Sequence, residues 1–159
     1  MPTQETVHAL KQAGAAVYID AGNANWQQAP EIADRLIKAG IGNAVGFALN
    51  VSNFHATPGN ISYGNRLSSL VGGKHYVIDT GRNGAGRSVV ADWCNAPGQA
   101  IGTAPTTNTG QPLADAFLWV KTPGQSDGPC HGGPRAGEWW AQYALELVKT
   151  AETLSNTLK

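Results

Sequence analysis

Four short apolar runs stand out along the chain: Ala15 to Ile19 (AAVYI), Ala44 to Leu49 (AVGFAL), His75 to Ile78 (HYVI) and Ala116 to Val120 (AFLWV). They are continuous rather than alternating, the pattern of parallel strands covered on both faces. Between them the apolar positions switch to helical spacing. In PEIADRLIKAG, Pro30 suits a first turn, Ile32, Leu36 and Ile37 share a face, and Gly40 is a stop. In ISYGNRLSSLVGG, Ile61, Leu67, Leu70 and Val71 do the same, with Gly64 as the weak point. A last helix is expected from about Gly137 to Ser155, turning Trp140, Ala144, Leu147, Val148 and Ala151 inward. Strand alternating with helix is the grammar of an α/β fold, a parallel sheet or a barrel.

In such folds ligands bind where the strands end. The four runs are followed by Asp20, Asn50, Asp79 and Lys121, so each strand exit carries a carboxylate, an amide or a cation. The segment from about Thr80 to Leu113 is too long for an ordinary connection and is expected to be an active-site loop.

Composition narrows the function. A chain of 159 residues fits one domain with a real core. Its formal net charge is zero and only 14% of its residues are charged, which excludes a row of neutralised phosphates and hence nucleic acid. Lysine and arginine are scattered, no apolar stretch approaches the ~20 residues of a membrane span, and the first residues, MPTQETVHALKQAG, are polar with no signal-peptide core. Two cysteines alone read as a pair of buried thiols.

Several chemistries fall away. GRNGAGRS lacks the Gly-Lys-Ser/Thr ending of a phosphate-binding P-loop, no Gly-x-Ser-x-Gly elbow occurs, and His8, His55, His75 and His131 lack metal-ligand spacing. What remains is carboxylates, amides and tryptophan. Asp, Asn and Lys hydrogen-bond hydroxyls, and an indole packs on the C–H face of a sugar ring, which together point to a carbohydrate cleft. Core packing is the plainer reading for Trp119, inside a strand, and for at least one of Trp139 and Trp140; it fits Trp26 and Trp93 less well, because they sit in polar loops.

The segments VYIDAGNANW, VSNF, VIDTGRNG, DWCNAPGQAIGTAPTTNTG and DAFLWVKTPGQSDG resemble, in order, the C-terminal half of a family-6 glycoside hydrolase, the inverting cellulases that act on β-1,4-glucan. The likeness runs over about residues 5 to 150. It implies part of a distorted seven-stranded β/α barrel, roughly its second half, as a single partial catalytic domain spanning 1–159. It implies that Asp127 is similar to the family's proposed catalytic base and that Lys121 is a substrate-binding lysine of the same loop. Asp20 resembles the aspartate of the family's D-A-G-H turn, which supports the active centre. Trp26 and Trp93 fall where sugar-stacking tryptophans are placed, and Asn53 where a glucan-contacting amide is placed. Arg82 resembles an arginine that pairs with the base, with Asp79 beside it as a supporting carboxylate. Cys94 and Cys130 match a family disulfide, which implies an oxidising, extracellular setting. No cofactor and no metal are implied.

An inverting hydrolase needs an acid and a base whose carboxyls lie roughly 6.5–9.5 Å apart. In the family the acid belongs to an N-terminal motif, tyrosine … arginine-aspartate-cysteine, followed by an E-P-D strand, and neither occurs in this sequence. Asn23 stands where D-A-G-H has histidine, and Gln125 where the family usually has glutamate. The expectation is therefore half of a split or truncated enzyme, inactive alone and completed by an N-terminal half chain. The alternative is a non-catalytic remnant that binds β-1,4-glucan or cello-oligosaccharide weakly through Trp26 and Trp93.

Overall fold

The computed structural model describes residues 2–87 and 92–157. Eight elements follow in order: α1 (Pro2–Gln12), β1 (Tyr18–Asp20), α2 (Ala29–Lys38), β2 (Gly46–Leu49), α3 (Thr57–Leu70), β3 (His75–Asp79), β4 (Ala114–Leu118) and α4 (Ala141–Thr157), with short 3-10 turns at Ile41–Asn43 and Cys130–Gly132. The four strands form one parallel sheet in the order β1-β2-β3-β4. The α/β class, the parallel pairing and the sequential strand order agree with the reading of a partial β/α barrel.

The two faces of the sheet differ. One is packed by helices: Phe47, Leu49, Tyr76, Ile78 and Phe117 meet Ile32, Ala33, Leu36, Leu67 and Val71 in the main core. Phe47 and Tyr76 stack with ring centroids 5.5 Å apart. Gly64, the weak point of α3, is required there, because a Cβ would lie 2.7 Å from the Tyr76 ring. Its helix penalty of ~1 kcal/mol is offset by seating that ring against the helix backbone. The opposite face carries small residues, Ala48, Val77 and Ala116, flanked by half-buried Tyr18, Val51 and Leu118.

On that second face Tyr18 of β1 donates a 2.7 Å hydrogen bond to Asp115 of β4, across two intervening strands. Opposite Tyr18 in β2 stands Gly46, whose missing side chain leaves room for the tyrosine ring. Asp115 is the extra residue of a β-bulge, since Tyr76 pairs with Ala114 and Val77 with Ala116, and bulges sharpen strand twist. Its second oxygen meets His75 Nδ1 at 2.7 Å. Strands spaced ~4.8 Å apart in a flat sheet would separate β1 from β4 by roughly 14 Å, so this bond needs a sheet curled toward its small-residue face.

Several sequence expectations are corrected. The fourth strand spans Ala114–Leu118 rather than running to Val120. Trp119 is half-buried, not core, with its Nε1 donating to Thr103 O, and Val120 is exposed. β4 is the last strand of the sheet, and the long loop covers its outer edge through an antiparallel bridge between Thr106 and Phe117. Ile37, Leu70 and Val148 are exposed, whereas Ala33 and Tyr143 are buried. The last helix begins at Ala141 rather than about Gly137. Residues 137–140 are instead held by the loop that carries Asp127: Gly137 N–H donates to Ser126 O, Ser126 N–H to Glu138 O and Trp140 N–H to Gly124 O.

Candidate active site

Three strand exits are joined by one carboxylate. Asp79, buried at the end of β3, accepts Gly81 N–H (2.9 Å) on one oxygen, and Ser52 N–H (3.1 Å) and Lys121 N–H (3.0 Å) on the other. Its carbonyl accepts Asn50 Nδ2 at 2.9 Å, and Asn50 Oδ1 accepts His55 N–H. The loops after β2, β3 and β4 therefore share a single buried acceptor. Backbone geometry supports the turn: Asn50 and Ser52 both adopt left-handed φ angles, 63° and 60°.

On this platform the long loop and the β4 loop bring Arg82 and Asp127 together. The guanidinium holds the carboxylate through two bonds, Nη1 to Oδ2 at 2.7 Å and Nη2 to Oδ1 at 3.1 Å. Lys121 Nζ lies 3.3 Å from Oδ1. Arg82 is 1% exposed, donates to Ser52 O at 2.6 Å and lies 4.3 Å from the Phe54 ring centroid, a cation–π contact. A desolvated, anchored cation is worth far more to Asp127 than a surface one. Burial pushes the Asp127 carboxyl up, but hydrogen bonds from Arg82 and the Asn95 N–H, with the charges of Arg82 and Lys121, outweigh it and hold the pKa below its ordinary value. The group is ionised at neutral pH and is a correspondingly weak base.

Cys94 and Cys130 form a disulfide with Cα atoms 6.2 Å apart, as their resemblance to a family pair implies. It ties the long loop to the loop carrying Asp127. The Asp92 carboxylate and the His131 ring form a hydrogen bond across the same two segments, at the surface. Bonds from the Cys94 N–H and His131 lower the Asp92 pKa.

The remaining predicted residues are placed less tightly. Asp20, at the end of β1, is exposed; its Oδ1 accepts Gly22 N–H at 2.9 Å, and it takes no part in the bonds around Asp127. With Trp26 and Arg35 it lines a cleft of about 280 Å³ at the β1 edge. Trp26 is 55% exposed and packs over Gly22, with Arg35 5.4 Å from its ring centroid. Trp93 is 69% exposed. Asn53 Nδ2 donates to Val51 O, within its own turn. Of the other tryptophans, Trp140 stacks on Tyr143 with centroids 5.4 Å apart, whereas Trp139 is 60% exposed and packs on Gly124.

Residues that the sequence did not single out turn out to organise the site. Asn95, beside Cys94, donates its N–H to Asp127 Oδ2 at 2.9 Å and accepts Asp127 N–H on Oδ1 at 2.7 Å. Ser126 is fully buried, and its single hydroxyl proton sits between Gly128 O and Pro134 O, each 2.9 Å from Oγ. Asn60, buried in α3, donates to His55 O and accepts Ala24 N–H, linking the loops after β1 and β2. Proximity to Cys94 was the one available signal for Asn95; an asparagine in a helix such as Asn60 carries none.

The site thus holds an ionised carboxylate between two cations, with Trp26 and Trp93 exposed, and the chain can be compared with known proteins. The profile of Glycosyl hydrolases family 6 matches residues 2–151. Endoglucanase A of Cellulomonas fimi is 50% identical over 139 residues, which cover 87% of this chain and 30% of that protein. The 1,4-beta-D-glucan cellobiohydrolase C of Emericella nidulans is 35% identical, covering 94% and 43% respectively. Among solved structures, the endoglucanase Cel6 from Mycobacterium tuberculosis superposes with a TM-score of 0.89 at 47% identity, over 94% of this chain and 53% of that one. The chain thus spans between about a third and a half of the length of these relatives, and it belongs to glycosyl hydrolase family 6.

Proposed function

We propose that this chain supplies the base side, and part of the sugar-binding floor, of a site that hydrolyses β-1,4-glucan with inversion. The observation that carries the proposal is the ionised Asp127 held between Arg82 and Lys121 at the exits of β3 and β4. In this reading Asp127 activates or orients the attacking water, Lys121 and Asn53 contact glucan hydroxyls, and Trp26 and Trp93 stack on glucose rings. Asp20 supports the active centre from the β1 side, and Asp79 fixes the loops. Support for the substrate comes from the Mycobacterium tuberculosis relative, solved in complex with methyl-cellobiosyl-4-deoxy-4-thio-beta-D-cellobioside.

Protonation of the leaving oxygen has no assigned donor here, because no segment of the sequence matches the family's acid motif. The acid is supplied by an N-terminal half. The Cys94–Cys130 bridge fits an extracellular place of action. The test is complementation. The 159-residue chain alone should hydrolyse soluble β-glucan little or not at all, since losing a general acid removes a factor of ~10²–10⁴. Adding an N-terminal half that bears the acid motif should restore turnover, and Asp127→Ala should abolish the gain. Robust hydrolysis by the chain alone would overturn the assignment and point to Asp20 or Asp79 as an acid.

One observation favours a second reading, a glucan-binding remnant without catalysis. Both Asp127 oxygens are already occupied by Arg82, Lys121 and Asn95, which leaves little basicity for proton abstraction. That reading wins if the mixture stays inactive while cello-oligosaccharide still quenches tryptophan fluorescence.

A further inference from the structure

Around Asp127 the two cations are accounted for by charge, but the backbone that carries the carboxylate is held by something else. The Asn95 side chain is 2% exposed and spans the turn 126–130 from within. Its Oδ1 accepts Asp127 N–H at 2.7 Å, while the two protons of its Nδ2 are shared among Gly128 O at 2.8 Å, Cys130 Sγ at 3.0 Å, Cys130 O at 3.2 Å and Ser126 Oγ at 3.3 Å. Its own N–H returns to Asp127 Oδ2 at 2.9 Å. One residue thus fixes both the main chain of Asp127 and one lone pair of its carboxylate.

The residue type is dictated on two counts. Asn95 has φ +46°, in the left-handed region that asparagine tolerates better than most side chains. Only a carboxamide presents an acceptor to one peptide N–H and donors to two carbonyls from the same group. Arg82 owes nothing to Asn95: it is anchored separately on Ser52 O and the Phe54 ring. Nor does the disulfide substitute for it, since that bridge joins the neighbouring Cys94 to the far end of the turn.

We propose that Asn95 is the positioning residue for Asp127, setting the orientation of the carboxylate against Arg82 and thereby its protonation behaviour. This rests on the reading of Asp127 as the base-side carboxylate. A residue that merely stabilised the loop would change the melting temperature and leave the Asp127 titration where it was. A positioning residue moves that titration.

The experiment is a carbon-13 NMR titration of the Asp127 carboxyl in the full 159-residue chain, assigned with Asp127→Asn. Asn95→Gly keeps the left-handed backbone and the N–H but removes the carboxamide. The Asp127 midpoint should rise by about one pH unit, because the turn that aligns the carboxylate with Arg82 and with the retained Asn95 N–H loses its internal support. Asn95→Asp keeps the acceptor for Asp127 N–H and the shape, but its like charge raises the midpoint whatever the role of the amide, so Asn95→Gly carries the test. In the unmodified chain, which needs no variant to fold, the Asn95 amide proton should shift with the same midpoint as the Asp127 carboxyl. An Asn95 amide that ignores that titration, or an Asn95→Gly chain that melts lower with an unmoved midpoint, overturns the proposal. If the midpoint moves while Asp127→Ala leaves the reconstituted hydrolysis intact, the positioning role stands and the catalytic reading falls. If Asp127→Ala abolishes hydrolysis and the midpoint is unmoved, the reverse holds.

Discussion

The two ends of the strand-exit edge are built in opposite ways. Around β3 and β4, Asp79, Arg82, Asn95, Lys121 and Asp127 share a buried net of bonds in which each polar group is held by at least one other. Around β1, Asp20 is exposed, its carboxylate is turned back on Gly22 N–H, and Trp26 stands half in solvent. Burial separates the two, and burial sets what a charge is worth: at the β3–β4 end a lost partner leaves an ion in a low dielectric, and at the β1 end water replaces it. The first end is organised within this chain. The second is an open rim.

The largest test of that contrast pairs Arg82→Ala with Asp20→Ala. Arg82→Ala strands the Asp127 carboxylate and is expected to cost about 3–5 kcal/mol, whereas Asp20→Ala should stay within about 0.5 kcal/mol, both read from urea unfolding. Equal costs would erase the distinction. Reduction of Cys94–Cys130 comes next, at roughly 3–4 kcal/mol for a loop closed by cysteines 36 residues apart. It is measured by thermal melts with and without reductant, and should expose the β3–β4 end to proteolysis before the β1 end.

A smaller effect is pH-dependent. The folded pKa of Asp127 is depressed, so the folded state binds fewer protons than the unfolded chain below ~pH 4. Its contribution is fully present above the ordinary aspartate pKa and is lost as pH falls through the depressed value. Asp127→Asn should remove that part of the acid limb of the stability curve. The smallest expected effect on stability is at the tryptophans: Trp26→Phe and Trp93→Phe should leave the melting temperature nearly unchanged while reducing the fluorescence quenching by cello-oligosaccharide. A large drop in melting temperature for either would mean that its ring packs the fold rather than a ligand.

Legibility in the sequence followed burial as well. The cores of β2 and β3 were readable, since Phe47, Leu49, Tyr76 and Ile78 are packed among apolar neighbours and an apolar run can mean little else. The apolar run outlasts β4 by two residues because Trp119 is half-buried and Val120 exposed, and hydrophobicity alone does not reveal where enclosure stops. The start of α4 was misplaced because Gly137 to Trp140 pair with the loop of Asp127, a long-range contact that local periodicity does not encode. In the site, Asp127, Arg82, Lys121 and the cysteine pair were named through family resemblance, and the geometry unites them. Asn95 and Asn60 were missed, because their value lies in hydrogen bonds to backbone far away in sequence, and an asparagine in a loop or a helix looks the same whether or not it makes them.

The Tyr18–Asp115 bond has a consequence for assembly. It is the chord of an arc: by joining the first stave to the fourth, it fixes the radius to which the four are bent. Burial and the hydrogen bond to Asp115 push the Tyr18 hydroxyl up to about 12, so the donor persists at any pH the protein meets. Curvature is thus written into this chain by its own side chains, and the two outer strands of the sheet are held at a set angle before anything binds there.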